Sequence, residues 1–408
     1  KEWQLLEKTV QIGDQLQDEE LDASLWNLSI ILGRTYKDTR RSFQYLQQNH
    51  KEGFNSGLFK IVQALGQRVI DEADGVEEVL HISFTPSLQE ALGHHQYAAA
   101  WAESLVARII DRGLQHRPIH AISANLHSIM NILYGRGALE KKGLAVPDDL
   151  YEMIHLIRDQ EVDVAGYAAA HGFIEHPDNS GSSIDVQIID TKGITASCFH
   201  PSLDIDLDLL IAQESVIVVI DYAFGTQAYE IMDELLSPTS ADDSLISLKI
   251  ESISIMGKAG ILPGSKGDIM LATAHVVEGT PHNYIVNNDL SPADFGNQVA
   301  VFSGPMLTVL GTSLQNRDVL ERFHDSSWKA VGLEMEGAHY QRAISAAIIQ
   351  EHIPKNMKVR YAYYASDNPL ISGQTLASGP MGAEGVFPTY LISKVILEKI
   401  LAENGNGY

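Results

Sequence analysis

Three neighbouring segments indicate the fold class: the apolar run Val216-Ile-Val-Val-Ile220, the turn Phe224-Gly-Thr-Gln227, and the run Ala228-Tyr-Glu-Ile-Met-Asp-Glu-Leu-Leu236. An all-apolar run of this length is typical of a central strand that is covered on both faces. The last run repeats its apolar residues at helical spacing, so a helix is predicted to follow the strand after a short turn. A strand–turn–helix unit of this kind is the building block of an α/β sheet.

Further strands are predicted along the chain, each an apolar or alternating run bounded by turn residues. Residues 184–189 and 194–198 flank Asp190-Thr-Lys-Gly193, and this arrangement predicts a hairpin. Other predicted strands cover residues 253–255, 267–272, 299–302, 306–310 and 359–364, and residues 390–401 are predicted to form a closing helix. Strands that alternate with helices favour a mixed α/β sheet flanked by helices.

The amino-terminal part has a different pattern, with apolar residues at helical spacing. Three such stripes start at Leu58, at Tyr97 and at Ile119, and the last is predicted to be one helix that ends at Gly135. The stretch 176–183, His-Pro-Asp-Asn-Ser-Gly-Ser-Ser, is polar and turn-rich, as expected of a boundary. We therefore predict an all-helical accessory domain at residues 1–175 and a catalytic domain at residues 184–408.

Composition excludes several classes of function. The chain has 408 residues and a formal net charge of −24, which disfavours nucleic acid and anionic membranes as partners. Its one cysteine, Cys198, permits neither an intramolecular disulfide nor a cysteine-based zinc site. No apolar stretch approaches the ~20 residues that span a bilayer. We expect a cytoplasmic protein with no metal and no organic cofactor.

Two acidic motifs carry the strongest chemical signal. Val331-Gly-Leu-Glu-Met-Glu-Gly-Ala338 places Glu334 and Glu336 around Met335 in an apolar segment, and Tyr361-Ala-Tyr-Tyr-Ala-Ser-Asp-Asn368 ends an apolar run on Asp367. Carboxylates at the edge of a core are costly unless something binds them. One carboxylate that accepts hydrogen bonds from hydroxyls and one carboxyl that donates a proton are the groups needed to break a sugar–base bond.

Two turns are further candidates, because ligands in α/β sheets bind at the carboxyl ends of strands. The turn at Gly225 opens a helix and can offer a backbone N–H to an anion or a sugar oxygen, although a simple tight turn explains it equally well. Gly257-Lys-Ala-Gly260 would let a flat ligand approach the backbone. The alternative for Gly260 is a strand end that needs a positive φ.

The chain resembles the nucleoside phosphorylase and nucleosidase superfamily. The resemblance rests on four motifs in matching order: Gly257-Lys-Ala-Gly-Ile-Leu, Gly267-Asp-Ile, Glu334-Met-Glu-Gly-Ala, and Ser366-Asp367. It covers roughly residues 184–401, and Ser366-Asp-Asn-Pro-Leu370 looks closest to the catalytic half of bacterial AMP nucleosidase. The resemblance implies a nucleoside phosphorylase-like sheet, a small-molecule purine nucleoside or nucleotide as substrate, and a homo-oligomer that shares active-site residues. AMP nucleosidases carry a mixed α/β amino-terminal domain, and the predicted helical one departs from that pattern.

The same resemblance implies roles for single residues. Asp367 would be the general acid at N7 of the purine, with Ser366 and Gly260 beside it. Glu336 would accept hydrogen bonds from the ribose 2′- and 3′-hydroxyls, and Met335 would pack against the sugar. Glu334 would help to bind the substrate or would act only as a helix-start acid.

The acceptor of the sugar is left open between water and phosphate. Phosphorylases of the superfamily commonly hold phosphate with an arginine in the glycine-rich turn, and residues 224–228 contain none, which favours hydrolysis. A non-catalytic nucleotide sensor is a third possibility, since neither Asp221 nor Glu230 is identified as the base that activates water. A 5′-phosphate would need a cation. Arg317 lies in the expected substrate loop, and the other candidates are Lys258, Lys266 and Arg322.

Overall fold

The fold was determined as a computed structural model that describes residues 2–12, 18–48, 58–75, 95–241, 244–278, 282–309, 317–371 and 382–402. The chain packs as two compact units. One contains Lys1–His94 with Leu310–Asn316, and the other contains His95–Val309 with Arg317–Tyr408. None of the helices in these ranges is long and apolar enough to cross a membrane.

The described part of the first unit is helical. Its helices are α1 (Glu2–Ile12), α2 (Asp18–Leu32), α3 (Tyr36–Gln48) and α4 (Leu58–Ala73). They share a small core of Leu6, Leu25, Leu28, Phe43, Phe59 and Val62. The predicted helical character of the amino-terminal region is confirmed for these residues.

The second unit is built on a mixed sheet. Its strands are β1 (Ile119–Ser123), β2 (Phe173–His176), β3 (Val186–Asp190), β4 (Val216–Ile220), β7 (Ile250–Ile261), β8 (Ile269–Val277), β9 (Asn283–Ile285), β10 (Val301–Thr308), β11 (Gly332–Glu334) and β12 (Lys358–Asp367). The strand order is β11-β10-β8-β12-β7-β1-β4-β3-β2, and β9 pairs with β8. Because β11 also pairs with β7, the strands β7, β12, β8, β10 and β11 close into a ring. Two short strands, β5 (Thr239–Ala241) and β6 (Ser244–Ile246), pair separately.

Helices cover both faces of this sheet. On one face lie α5 (His95–Asp111), α10 (Gln227–Leu236) and α12 (Gly337–Ile349). The opposite face carries α6 (Leu126–Lys142), α7 (Leu150–Asp159), α8 (Val164–Ala168), α9 (Leu207–Gln213) and α13 (Val386–Ala402). The helix α11 (Arg317–Asp325) packs through Leu320 on a third, smaller cluster beside β10 and β11.

The strand β4, formed by the apolar run at residues 216–220, is buried on both faces, as its sequence predicts. Val216, Val218 and Ile220 point into one core, while Ile217 and Val219 point into the other. This alternation follows from the two-residue period of a strand. The mixed α/β sheet, its flanking helices and the helical amino-terminal region are thereby confirmed as the fold class.

The prediction of one helix from Ile119 to Gly135 is wrong in its first part. Ile119–Ser123 form β1, which is parallel to β4 on one side and to β7 on the other. The helix α6 begins only after Asn125, whose side-chain oxygen accepts a hydrogen bond from the Ser128 N–H at 2.8 Å. A short apolar run fits a strand or a helix equally well by spacing alone, and here the sheet selects the strand.

Because β1 belongs to the sheet, the boundary between the two units lies earlier in the chain than the sequence predicts. The two units separate at His94, upstream of the boundary expected at residues 176–183, because β1 and its neighbouring helices belong to the sheet unit. The stretch 176–183 instead begins at the last residue of β2 and forms most of the connection to β3, the antiparallel strand beside it in that sheet.

Two smaller corrections concern strand pairing. The predicted hairpin of residues 184–198 is wrong, because β3 pairs with β2 and β4, and a short 3₁₀ turn at Thr191–Gly193 follows it. The predicted strands at residues 299–302 and 306–310 are one strand, β10, with a register shift between Gly304 and Pro305. Proline lacks the N–H that a regular ladder uses, so a turn between two strands was the natural interpretation.

Candidate active site

The site lies where several strands of the sheet end. The parallel strands β1 and β4 end at Ser123 and Ile220, whereas β7 extends further, to Ile261. The strand β11 runs antiparallel to β7 with Leu333 opposite Gly260, so the chain after it returns towards the ends of the shorter strands. The two acidic motifs and the Gly225 turn are thus brought to one edge, although they are distant in sequence.

Glu336 contacts the Gly225 turn directly. The Gly225 N–H donates a hydrogen bond to Glu336 Oε1 at 3.0 Å. Gly225 has a φ of +54°, a conformation that favours glycine, and this conformation presents its N–H to the carboxylate. Two residues predicted separately as site residues therefore form one contact.

The Glu336 carboxyl is held in an unusual electrostatic environment. It is half-buried at the residue that precedes α12. Burial, together with the nearby Glu334 carboxylate, raises its pKa to about 8, against the opposing effect of the Gly225 and Met335 N–H groups. Ionisation of Glu336 is therefore unfavourable in the free protein, and a ligand that donates hydrogen bonds to the carboxylate stabilises the ionised form.

Both carboxyl oxygens of Glu334 accept hydrogen bonds from other groups of the protein. Its Oε2 accepts hydrogen bonds from the N–H groups of Glu336 and Gly337, and its Oε1 accepts one from the Thr308 hydroxyl. Burial alone would raise the pKa of Glu334, but His275 together with these donors holds it below the usual value. Of the two interpretations of Glu334, this geometry fits the helix-start acid.

Met335 points away from the polar groups around it. Its side chain is buried in the small apolar cluster with Leu262, Val276, Leu307 and Leu333. A methionine fills an irregular gap of this kind well because its side chain is unbranched and flexible. Its expected contact with a sugar stays a prediction.

Asp367 ends β12 with one carboxyl oxygen bonded and one not. The Ser366 hydroxyl donates to Asp367 Oδ1 at 2.6 Å. The side chain is buried, and Oδ2 has no hydrogen-bond partner within the described residues. Burial raises the pKa of Asp367, and the Ser366 hydroxyl and the Lys258 charge oppose that rise. The arrangement leaves Oδ2 as the atom that can carry a proton.

Gly260 lies opposite Asp367 in the β7–β12 pairing. A Cβ there would come within 3.1 Å of Leu333 Cδ2 and 3.4 Å of Pro369 Cδ, so the glycine permits close packing of β11 and of the chain after Asp367. The alternative of a positive φ at this position is wrong, since its backbone is extended within β7.

The candidate cations for a substrate phosphate are scattered. Lys266 is paired with Glu384 at 2.6 Å, and Arg322 is exposed in the last turn of α11. Arg317 is the first residue of α11, and its side chain, like the loop at residues 310–316 before it, lies outside the described residues. Lys258 is exposed on β7 and is close enough to influence the pKa of Asp367.

The two candidate bases differ in position. Asp221 directly follows β4 and is half-buried, and burial raises its pKa. Glu230 is buried in the first turn of α10. Asp221 and Glu336 both act on the pKa of the Tyr340 phenol, which places the two carboxylates on the same side of the site.

Several residues of this edge carry no motif and were missed by sequence reasoning. The Tyr340 hydroxyl lies 2.9 Å from Ser123 Oγ and so ties α12 to the end of β1. Tyr222 lies over Gly257, where a Cβ would be 3.9 Å from its ring. Asn125 bonds the Tyr222 phenol. The one available signal was Asn125, a typical helix-capping residue after an apolar run.

A metal centre is not indicated by the part of the chain that the structure describes. No group of three or more histidine, cysteine, aspartate or glutamate side chains there is arranged to hold a metal ion.

Comparisons with known proteins give a family and a set of distant structures. A family model described as "Family of unknown function (DUF6909)" matches residues 151–402. No curated protein matches the sequence. The 5′-methylthioadenosine/S-adenosyl homocysteine nucleosidase of Campylobacter jejuni aligns with a TM-score of 0.40 and 10% identity, over 70% of this chain and 100% of that one.

Two other solved structures align over the same share of this chain. The futalosine hydrolase of Helicobacter pylori strain 26695 has a TM-score of 0.39 and 11% identity, with 70% of this chain and 98% of that chain covered. Isoform 2 of uridine phosphorylase from Schistosoma mansoni has a TM-score of 0.36 and 12% identity, with 70% and 90% covered.

Proposed function

We propose a function for this chain, which belongs to the family of unknown function DUF6909: it hydrolyses the N-glycosidic bond of a purine nucleoside or nucleotide and releases the free base. The observation that carries the proposal is the Asp367 carboxyl, which is buried at the end of β12 with Oδ1 bonded and, among the residues that the structure describes, no partner for Oδ2. The four motifs that resemble nucleosidases support it.

Asp367 acts as the general acid. A purine anion is a poor leaving group, so the reaction needs a proton at N7 as the bond from C1′ to N9 breaks. A raised pKa keeps the carboxyl protonated closer to neutral pH, and a general acid of this kind accelerates bond cleavage about 10²–10⁴-fold. After the transfer, the Ser366 hydroxyl and the Lys258 charge stabilise the carboxylate that remains.

Glu336 binds the ribose. Its carboxylate accepts hydrogen bonds from the 2′- and 3′-hydroxyls and is fixed in direction by the Gly225 N–H. As the base departs, positive charge develops on the sugar ring, and a nearby anion is attracted more strongly to that state than to the substrate. Glu334 contributes by accepting a hydrogen bond from the Glu336 N–H, and Met335, buried in the neighbouring apolar cluster, is the residue we assign to pack against the sugar.

Water is the proposed acceptor. The water oxygen bonds to C1′ as the C1′–N9 bond breaks, and the proton that Asp367 gave to N7 departs with the base. The proton that the water loses passes to the Asp221 carboxylate and from there to solvent, and Asp367 takes up a proton from solvent before the next turnover. The turn at residues 224–228 contains no arginine, and the Gly225 N–H is already used by Glu336, so the turn offers no evident phosphate site. Asp221, beside this turn, is the carboxylate we assign to orient the water.

The test measures free base released from AMP, adenosine, inosine and methylthioadenosine, each with and without phosphate. Release without phosphate from at least one substrate supports the hydrolase. Strict dependence on phosphate would identify a phosphorylase instead. Binding of a nucleoside or nucleotide without turnover would identify a sensor. The preferred substrate decides whether a 5′-phosphate is recognised, for which Arg317 and Lys258 are the first residues to replace.

Replacing Asp367 tests the acid directly. Asp367→Asn should lower kcat about 10²–10⁴-fold and leave substrate binding within a few-fold, because the amide keeps the shape but cannot donate the proton. Asp190→Asn is the matched control, since Asp190 also ends a strand but lies opposite Val216, at the far edge of the sheet. Turnover by Asp367→Asn at the rate of that control would refute the assignment.

The assembly is also part of the proposal. We expect a homo-oligomer in which a neighbouring subunit completes the site, and light scattering of the full chain measures its mass.

A further inference from the structure

A buried polar cluster lies directly beneath Glu336. It consists of His275 in β8, Thr308 at the end of β10 and Glu334 at the end of β11, all buried. The three strands are neighbours: Met306 of β10 is opposite His275, and Thr308 is opposite Glu334. His275 Nδ1 lies 3.3 Å from Glu334 Oε1, and Thr308 donates to that same oxygen.

The cluster holds the start of α12 through three successive backbone amides. Glu334 Oε2 accepts from the Glu336 and Gly337 N–H groups, and Thr308 Oγ1 accepts from the Ala338 N–H at 3.0 Å. The first N–H groups of a helix have no partner inside the helix, so these bonds decide where α12 begins. The backbone of Glu336, at φ −124° and ψ −24°, is thereby fixed, and with it the direction of its side chain.

His275 also contacts the helix start physically. A Cβ at Gly337 would lie 2.2 Å from His275 Cε1 and 2.7 Å from the Tyr363 hydroxyl oxygen, so only glycine fits there. The imidazole packs edge-on against Tyr361, with ring centroids 4.7 Å apart. The His275 ring is therefore packed between aromatic rings and the first turn of α12.

The charge on Glu334 makes the histidine necessary. A buried carboxylate is tolerated only when donors surround it. Its Oε2 has two backbone donors, whereas its Oε1 accepts one hydrogen bond within the described residues, from the Thr308 hydroxyl. The next polar neighbour of Oε1 is His275 Nδ1 at 3.3 Å, which does not form a regular hydrogen bond with it but is close enough to lower the pKa of Glu334. Loss of this ring nitrogen would remove that polar neighbour, so the buried carboxylate would be less well stabilised in the position where it holds the helix amides.

We propose that His275 is a positioning residue: through Glu334 it fixes the start of α12 and so aims the Glu336 carboxylate at the ribose 2′- and 3′-hydroxyls. This inference rests on the proposed function. It predicts a specific consequence for substrate choice. If His275 acts only through Glu336, replacing it should lower kcat/KM for a ribonucleoside. The same replacement should lower kcat/KM much less for the 2′-deoxy analogue, which lacks one of the two hydroxyls that Glu336 binds.

The experiment compares kcat/KM for a ribonucleoside and its 2′-deoxy analogue in the full-length protein. His275→Phe keeps a ring of similar shape but removes the nitrogen, and His275→Asn restores an N–H near the position of Nδ1. His120→Gln is the control for the loss of a buried histidine, because His120 is bonded to Ser252 in the middle of the sheet.

We expect His275→Phe to lower kcat/KM for the ribonucleoside about tenfold or more, with less than a threefold change for the 2′-deoxy substrate. His275→Asn should recover most of the lost preference, and His120→Gln should keep the wild-type ratio. A parallel fall for both substrates in His275→Phe, or an unchanged ratio, would overturn the positioning role while the wild type still releases base. If the wild type releases base from neither substrate, the proposed function itself fails, and the positioning role with it.

Discussion

Ribonucleoside binding should strengthen steeply with pH, because the Glu336 carboxyl must be ionised to accept two hydroxyl hydrogen bonds. In the free protein, burial and the neighbouring Glu334 charge raise the pKa of Glu336 to about 8. Below that pH the side chain is mostly protonated, and a ligand that needs the carboxylate must first displace the proton. Affinity therefore rises with pH, and one proton is released on binding.

The size of the effect follows from the fraction of protein that is competent to bind. With a pKa of about 8, the ionised fraction is roughly 1/100 at pH 6, 1/11 at pH 7 and 10/11 at pH 9. The apparent Kd should thus fall about tenfold from pH 6 to pH 7 and roughly 90-fold from pH 6 to pH 9. Proton release should be close to one per ligand below pH 7 and should vanish above pH 9.

The assay is titration calorimetry of the Asp367→Asn variant with its preferred ribonucleoside at pH 6 to 9. This background slows turnover about 10²–10⁴-fold and removes the Asp367 carboxyl, whose own titration would otherwise contribute to the pH dependence. Repeating each titration in two buffers of different ionisation enthalpy counts the released protons. The control is the same variant with Glu336→Gln added, whose weaker binding should not vary with pH. An apparent Kd that stays constant within twofold from pH 6 to 9, or that is lowest at pH 6, would refute the ribose-binding role of Glu336.

Three further outcomes are expected. Glu336→Gln should raise the free energy of unfolding, measured by urea titration, by about 1–2 kcal/mol at pH 9 and by less at pH 5. The reason is that the pKa of Glu336 is raised in the folded state, so the wild-type protein loses stability as the pH rises from 4.5 towards 8, and glutamine cannot ionise. Gly225→Ala should destabilise by about 1 kcal/mol and change KM less than about threefold, since φ is +54° but nothing lies within 4 Å of the new Cβ. Gly337→Ala should cost more than about 2 kcal/mol in thermal unfolding and weaken ribonucleoside binding, because the Cβ would lie 2.2 Å from His275; equal effects of the two alanines would contradict the rigid helix start.

Sequence patterns predicted the elements that are long or strongly periodic. The central strand at Val216–Ile220 was predicted from its all-apolar run, the helix that follows it from helical spacing, and the last strand, β12, from its apolar run before Asp367. The strand β1 was not, because its five residues, Ile-His-Ala-Ile-Ser, do not alternate with a two-residue period, and Ile119 and Ile122 continue the helical spacing of the residues that follow. Only pairing with β4 and β7 distinguishes it from the first turn of a helix.

The site could be predicted as residue types but not as contacts. Asp367 and Glu336 stood out because acids are rare in apolar runs, and the motif order gave them roles. The bond between Gly225 and Glu336 joins residues far apart in sequence, and it exists only because β11 runs back along β7. His275 and Thr308 belong to no motif, and their importance appears only when β8, β10 and β11 are seen side by side.

The two carboxyls of the site need opposite protonation, although the protein raises the pKa of both. The protein alone does not set these protonation states, because within the described part of the chain Glu336 is bonded only by the backbone N–H groups of Gly225 and Met335, and Asp367 Oδ2 has no hydrogen-bond partner. The substrate can do so. Ribose hydroxyls donate to Glu336 and lower its pKa, whereas N7 of the base is an acceptor and favours a proton on Asp367 Oδ2. A nucleoside would thus complete the active protonation state as it binds, and a molecule that lacks either the hydroxyls or the N7 acceptor would leave one carboxyl in the wrong form. Discrimination against such analogues should then appear in kcat as well as in KM, because a bound analogue would still lack the charge pattern that the reaction requires.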